Sequence, residues 1–261
     1  MSIAKLKDIE IYYELHGDGK PLVLIAGYAS DHLYWEGMLG KLAQHFQVLT
    51  FDNRGAGQTK DADSPFTIET MANDTMALIK YLNLAQPHIV GHSMGGAVAQ
   101  AFAHQYPDHL NKLIIANSAH KLKLKTFLAM ESLLNLRKDS IAFDHLIDTA
   151  LPWFFSSAYL ADPKHIELFK KSILNNPYLQ SIEDQERQLN AMKSFDSQSW
   201  LHEIKVPTLI IGSEEDILNL PLECQHLATA LHAGLVTVPG GHSSPIEQAE
   251  KLSKLIMDFL N

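Results

Sequence analysis

Short apolar runs alternate with segments of helical period along the first half of the chain. Continuous apolar runs, typical of strands buried on both faces, lie at 21–26, 46–51, 87–90 and 110–116, and a further strand-like segment lies at 9–15. Between them, the segments 33–44, 67–82 and 93–106 carry apolar residues at helical spacing. Repeated strand–helix units predict an α/β fold, with a mostly parallel sheet and helices on both of its faces.

This alternation is interrupted between residues 121 and 200. The segment has no clear strand, is broken by three prolines and is rich in large apolar residues. A stretch of roughly 80 residues is too long for a bare loop, so a helical insertion is predicted. The pattern thus divides the chain into an α/β core, formed by 1–120 and 201–261, and an insertion at 121–200.

Strands and helices alternate again after the insertion. Strands are predicted at 206–211 and 235–238, with a helix at 221–231 between them. The last helix is predicted to begin at Ser244 and to run to about residue 260, because Ser244-Pro245-Ile246-Glu247 matches a capping box with proline in the first turn.

Composition narrows the class of protein. With 261 residues, of which 46% are hydrophobic, the chain can build one large α/β domain. A net charge of −9 disfavours nucleic acid and anionic membranes as partners. The N-terminal segment has no signal-type apolar stretch, and no run approaches the ~18 residues of a membrane span, so a cytoplasmic protein is expected. The single cysteine, Cys224, excludes an intrachain disulfide and is expected to be a buried, unreactive thiol.

A candidate nucleophile lies between a predicted strand and a predicted helix, in the segment Gly91-His92-Ser93-Met94-Gly95-Gly96. A serine on such a turn needs small residues two positions before and after it to avoid clashes, and Gly91 and Gly95 supply them. The start of the following helix also presents its positive dipole end to a developing oxyanion. An ordinary glycine-rich turn is the alternative interpretation, but the strand before and the helix after favour Ser93 as a nucleophile.

Two later loops supply an acid and a base. A serine hydroxyl needs a base to accept its proton, and among the 14 histidines His242 stands out in a glycine-flanked loop after a strand. The loop after the strand at 206–211 carries Asp216, with Glu214 and Glu215 as competing acids. Both loops follow parallel strands and should reach the sheet edge where Ser93 lies. His92 is expected to point away from the site and to be structural.

These segments resemble the α/β-hydrolase superfamily, from about residue 9 to residue 260. The resemblance rests on LIAGYAS (24–30), FDNRGAGQT (51–59), IVGHSMGGAVAQ (89–100), LIIGSEEDI (209–217) and VPGGHSSPIEQAEKL (238–252). It implies the chain order serine, acid, histidine, and a helical cap at 121–200. It also implies an oxyanion hole made by the backbone N–H of Met94 and by that of Tyr28. Tyr28 follows Ala26-Gly27, where the family usually has His-Gly.

The resemblance implies several possible activities. Residues 51–59 and 113–119 are similar to those of 3-oxoadipate enol-lactonases, and the layout also resembles pimeloyl-carrier-protein methyl ester esterases. The first hypothesis is therefore a hydrolase of small esters or lactones that works through an acyl-enzyme. A ligand receptor of the same fold, a perhydrolase and a carbon–carbon bond hydrolase stay open as alternatives. A dehalogenase of this fold would carry aspartate in place of Ser93.

No cofactor or metal is predicted. The histidines lack metal-ligand spacing, Asp61 and Asp63 are expected in a solvated loop, and the glycines at 55–57 lack a dinucleotide fingerprint. The expected partner is a small-molecule substrate, and the oligomeric state is left open.

A cluster of aromatic residues in the insertion is the remaining candidate for substrate binding: Trp153, Phe154, Phe155 and Tyr159. These rings either anchor the insertion on the sheet or line the substrate pocket, and both interpretations stay open. The basic residues Lys121, Lys123, Lys125 and Arg137 are expected to be solvated. An uncharged, moderately hydrophobic substrate is therefore expected.

Overall fold

A computed structural model describes residues 2–261 and confirms the α/β fold. One sheet of eight strands has the order β1-β2-β4-β3-β5-β6-β7-β8. The pairs β1–β2 and β2–β4 are antiparallel, and every other pair is parallel. The strands are β1 (Ser2–Lys5), β2 (Glu10–His16), β3 (Lys20–Ile25), β4 (Phe46–Phe51), β5 (His88–His92), β6 (Leu113–Ala116), β7 (Thr208–Ser213) and β8 (Gly234–Val238).

The strands in the middle of the sheet match the apolar runs in the sequence. Strand β4 has the predicted bounds, β5 ends two residues later than predicted, and β6 begins three residues later. Strand β1 was not predicted, because this edge strand exposes three of its four residues and so has no apolar run. The sheet order reverses at β3, between β4 and β5, and a ligand site is expected at the carboxyl ends of the strands there.

Side chains alternate between the two faces of the sheet. Val23 and Ile25 of β3 pack into one apolar cluster, and Leu22 and Leu24 pack into the other. The first cluster is covered by α2 (Ile68–Tyr81), α3 (Met94–Gln105) and α9 (Pro221–Leu231), and the second by α1 (Glu36–Leu42) and α11 (Ala249–Leu260). The sheet therefore has helices on both faces, as predicted.

The last predicted helix is two helices, and its capping box is wrong. Helix α10 (Ser244–Glu247) ends at Glu247, and α11 begins at Ala249, after the non-helical Gln248. Ser244 is a helical residue whose hydroxyl donates to Asn117 Oδ1 at 2.7 Å. Glu247 accepts from the backbone N–H of Gly241 at 2.9 Å, and so serves the loop before the helix.

The segment between β6 and β7 is helical. It contains α4 (Leu124–Lys138), α5 (Phe143–Phe154), α6 (Ser157–Leu160), α7 (Pro163–Leu174) and α8 (Ile182–Ser194). Within the described chain, no strand of the sheet comes from this insertion. Helix α4 packs on α8, while α5 packs on α4 and α6.

Candidate active site

Ser93 lies in a sharp turn between β5 and α3. Its φ of 54° is in the left-handed region, which is costly for a residue with a side chain. A Cβ at Gly91 would collide with the carbonyl of Gly95, and a Cβ at Gly95 would collide with the carbonyl of Ile25. The two glycines therefore have the steric role expected from the sequence, since they let the turn pack closely on β3.

Three side chains from separate loops form a continuous hydrogen-bonded chain. His242 Nε2 lies 2.9 Å from Ser93 Oγ, and His242 Nδ1 lies 2.9 Å from Asp216 Oδ2. The three residues follow β5, β7 and β8, so they meet at the carboxyl edge of the parallel strands. All three are buried. This geometry is that of a nucleophile, a base and the acid that orients the base.

Asp216 is held as a carboxylate. Burial alone would raise its pKa, but the nearby His242 and several hydrogen bonds outweigh that effect, so the pKa lies below its ordinary value. The backbone N–H groups of Leu218 and Asn219 each donate to Oδ1 at 2.9 Å, and Asn117 Nδ2 donates to Oδ2 at 2.9 Å. The carboxylate therefore remains ionised and fixed beside the imidazole.

The competing acids do not reach His242. Glu214 and Glu215 are exposed. The carboxylate of Glu215 accepts hydrogen bonds from Ser157 of the insertion, at 2.9 Å from its N–H and 2.7 Å from its hydroxyl. Of the three candidates, Asp216 is the one that the fold brings to the imidazole.

His92 borders the cavity and packs against His242, so the expectation that it points away from the site is wrong, while its structural role is supported. Its Nε2–H donates to the carbonyl of His242 at 2.8 Å, and its ring packs against Tyr34 and His242. Burial and the neighbouring His242 lower the pKa of His92 to about 3, so its ring is neutral. It contacts the backbone of His242 and holds the loop in place.

Sequence reasoning missed two polar residues that hold this edge of the sheet. Asn117 follows β6, with a φ of 47°, and it donates to Ser213 Oγ at 2.8 Å as well as to Asp216. Glu247 accepts hydrogen bonds from Gly241 N–H and from the N–H and hydroxyl of Ser156. An asparagine at the end of an apolar strand was the available signal for the first, whereas the partners of Glu247 are set by the tertiary fold.

A cavity opens next to Ser93, between the sheet edge and the insertion, with a volume of about 60 Å³. Tyr28 and Met94, the two residues predicted to form the oxyanion hole, both line it. So do Ser93, His242 and the apolar side chains of Ala97, Leu122, Met130, Phe154, Met192, Phe195 and Leu218. The volume and the apolar walls suit a small acyl group.

The four aromatic residues of the insertion lie in different places in the structure. Phe154 lines the cavity, with its ring centroid 6.0 Å from that of His242. Phe155 and Tyr159 stack on each other within an apolar cluster of the insertion, and Trp153 lines a separate groove on the outer side of α4. Among residues 2–261, the cavity is thus bordered by one of the four rings, whereas the other three pack in apolar clusters of the insertion, in line with the anchoring interpretation. Their spacing placed them on helices but could not say which face meets the cavity.

Two charged residues differ from expectation. Lys121 borders the cavity and pairs with Asp196 at 3.0 Å, although its side chain is half exposed. Asp61 is not solvated: its carboxylate is buried, lies 3.0 Å from Arg187 and is 3.8 Å from Arg54. Buried carboxylates need such partners, and here the partner on α8 ties the insertion to the core.

Comparison with known proteins identifies the family. Residues 20–249 match the model of the alpha/beta hydrolase fold, so the chain belongs to that family. It is 28% identical to a protein of Caulobacter sp. (strain K31) named "Putative carbamate hydrolase RutD", over 96% of each chain. Among solved structures, an enol-lactonase from Burkholderia xenovorans LB400 is 26% identical, with a TM-score of 0.88 over 99% of each chain.

A second solved structure extends the range of activities. A thermophilic esterase from Thermogutta terrifontis, solved with malate bound, is 26% identical, with a TM-score of 0.87 over 100% of this chain and 98% of that one. The family and these named relatives support hydrolytic activity for this protein. Among residues 2–261, no helix has the length and apolar character needed to cross a membrane. The same residues contain no cluster of three or more side chains that could hold a metal ion.

Proposed function

We propose that this protein is a serine hydrolase that cleaves a small, uncharged carboxylic ester or lactone through an acyl-enzyme. The observation that carries the proposal is the unbroken hydrogen-bonded chain from Ser93 Oγ through His242 to Asp216, with 2.9 Å at each link. The family match and the enol-lactonase and esterase neighbours support the same reaction class. A ligand receptor of the same fold can keep the same three residues, and turnover of a simple ester separates the two activities.

The proposed mechanism follows from the donors and acceptors around Ser93. His242 Nε2 accepts the proton of Ser93 Oγ as the oxygen attacks the substrate carbonyl, and Asp216 stabilises the imidazolium and fixes its tautomer. The backbone N–H groups of Met94 and Tyr28 stabilise the tetrahedral oxyanion. His242 then protonates the leaving oxygen. A water molecule activated by His242 releases the acid from the acyl-enzyme.

The cavity supports a small substrate. Its volume of about 60 Å³ lies well below the roughly 300–1,000 Å³ of common ligand pockets, so a short acyl chain is favoured. Among the described residues, Lys121 is the one cationic side chain that borders it, and Asp196 already pairs with this lysine. The carboxylate of Asp196 offsets the charge of this lysine, so neutral substrates are favoured.

Replacement of the nucleophile tests the proposal. Ser93→Ala should lower kcat for a p-nitrophenyl ester by several orders of magnitude while the thermal unfolding transition is retained. A fluorophosphonate should add covalently to the wild-type protein at Ser93, and mass spectrometry should find no adduct in the variant. Ser253→Ala is the matched control, because this buried hydroxyl donates to Ala249 O at 2.7 Å within α11 and is remote from the cavity. Substantial turnover by folded Ser93→Ala protein would refute the proposal.

Carbamate hydrolysis is the second candidate. It is favoured by the name of the bacterial relatives that match this chain over nearly their full length. The same serine, base and oxyanion donors can attack a carbamate carbonyl. Matched p-nitrophenyl esters and carbamates with equal acyl size separate the two candidates, since the preferred class should have the higher kcat/KM.

A further inference from the structure

A buried amide of the insertion holds the middle of the loop that carries Tyr28. Gln188, on α8, is fully buried. Its Oε1 accepts from the backbone N–H of Ala29 at 3.1 Å, and its Nε2 donates to the carbonyl of Arg54 at 2.9 Å. One side chain of the insertion therefore bridges the loops that follow β3 and β4.

We propose that Gln188 is a positioning residue, which holds the loop 26–31 in the conformation that presents the Tyr28 N–H to the oxyanion. The inference rests on the proposed function, because it assumes that Tyr28 serves as a donor. Gln188 does not border the cavity among the described residues, and it acts through the backbone of Ala29.

The loop needs such support at Ala29. This residue has a φ of 56°, in the left-handed region, which is unfavourable for a residue with a side chain. Asn53 Nδ2 holds the start of the loop through the carbonyl of Ala26 at 3.0 Å, and Asn176 Nδ2 holds its end through Asp31 at 2.6 Å. The bond from Gln188 lies between these two points, directly after Tyr28.

The neutral amide of Gln188 satisfies both of its neighbours. The N–H of Ala29 needs an acceptor and the carbonyl of Arg54 needs a donor, and glutamine supplies the two from one group. Gln188 is fully buried, and an apolar replacement would take its hydrogen bond from both backbone groups. The loop would then relax away from the conformation that Ala29 adopts.

The kinetic consequence should fall on kcat. One oxyanion donor is typically worth about 10²–10³ in kcat, and a 1 Å misplacement can cost about 10². Gln188→Met, which is similar in volume and lacks both polar atoms, should lower kcat for a short p-nitrophenyl ester by roughly 10- to 100-fold, with KM changed by less than about threefold. Affinity for a trifluoromethyl ketone, which forms a tetrahedral adduct with serine, should fall by a similar factor.

Arg187→Gln is the matched control. Arg187 is the preceding residue on α8, and it ties the insertion to the core through Asp61 at 3.0 Å without touching the loop 26–31. This variant should have a lower thermal midpoint but a kcat within about twofold of wild type. Ala29→Gly, added to Gln188→Met, should recover part of kcat, because glycine adopts positive φ without strain.

Amide hydrogen exchange of the segment 26–31 gives a readout that does not depend on catalysis. Protection at Ala29 should fall in Gln188→Met and persist in Arg187→Gln. The inference is overturned if Gln188→Met keeps wild-type kcat, if Arg187→Gln loses as much kcat, or if Ala29→Gly brings no recovery. A wild-type protein without Ser93-dependent turnover would instead refute the proposed function, a result that the Ser93→Ala comparison identifies separately.

Discussion

The sheet and the helical insertion bury their residues to very different degrees. Every residue of β5, β6 and β7 is buried, whereas α7 has no buried residue and α5 and α8 have three each. The triad residues lie on loops anchored by the fully packed strands. The insertion is joined to the core by polar links, such as those made by Gln188, Arg187 and Ser156, and by apolar contacts of Ala191 and Phe195.

The difference in packing assigns different roles to the sheet edge and to the insertion. Close packing on both faces allows little movement of Ser93, His242 and Asp216, and proton transfer needs fixed distances. The more weakly packed insertion supplies part of the cavity wall, including Met130, Phe154 and Met192. We therefore expect changes at the sheet edge to affect chemistry or global stability, and changes in the insertion to affect substrate choice and loop alignment.

The largest effect is expected at the carboxylate of the sheet edge. Asp216→Asn should reduce kcat by about 10³–10⁴, because an amide donates to His242 Nδ1 and stabilises the wrong tautomer. Steady-state kinetics on a p-nitrophenyl ester measure it. Glu214→Gln and Glu215→Gln are the controls, since both side chains are exposed, and each should keep kcat within about threefold. A severe effect of either glutamate with a mild Asp216→Asn would show that the acid is misassigned.

A smaller effect concerns the stability of the sheet in acid. His88, at the start of β5, is buried and neither ring nitrogen has a hydrogen-bond partner among residues 2–261. Burial, with Lys112 and Lys20 nearby, lowers its pKa from 6.5 to about 4. Between pH 6.5 and pH 4, His88 is protonated in the unfolded chain but stays neutral in the folded chain. The free energy of unfolding is therefore highest above pH 6.5 and falls as the pH drops toward 4.

The expected loss from His88 is about 3 kcal/mol between pH 7 and pH 4. Urea unfolding at both pH values measures it, and His88→Leu should remove this part of the pH dependence. The exposed His145 in the insertion provides the control, and His145→Leu should leave the wild-type dependence. An unchanged acid sensitivity in His88→Leu would contradict the prediction.

The smallest effect is expected in the insertion, on acyl-chain preference. Each methylene that the cavity can bury should raise kcat/KM by about fourfold, and the small cavity should end this rise at short acyl chains. Met192→Ala, which shortens a cavity wall on α8, should move the optimum to longer chains. Leu128→Ala, in the groove on the outer side of α4, should not move it. A profile that falls from acetate onward, or a preference for a dicarboxylate half-ester, would contradict an apolar pocket.

The sequence alone predicted the α/β fold, the main strands and the residues that meet at the triad. Buried strands need continuous apolar runs, as in Phe46–Phe51, and a serine elbow needs glycines at fixed spacing, so both leave a local record. The sequence favoured Asp216 as the acid but did not exclude Glu214 and Glu215. Burial and the distance to His242 decided among them.

Tertiary structure alone decided which distant groups meet. Glu247 had the spacing of a capping box, yet its carboxylate binds Gly241 and Ser156. Asp61 had the composition of a solvated loop, yet Arg187 from the insertion covers it. Helical period indicated that Phe154, Phe155 and Tyr159 are apolar contacts, but their partners depend on how α5 packs. The apolar period of a helix or strand indicates which of its residues are buried. It does not indicate which residue each one contacts, because that partner comes from another part of the chain.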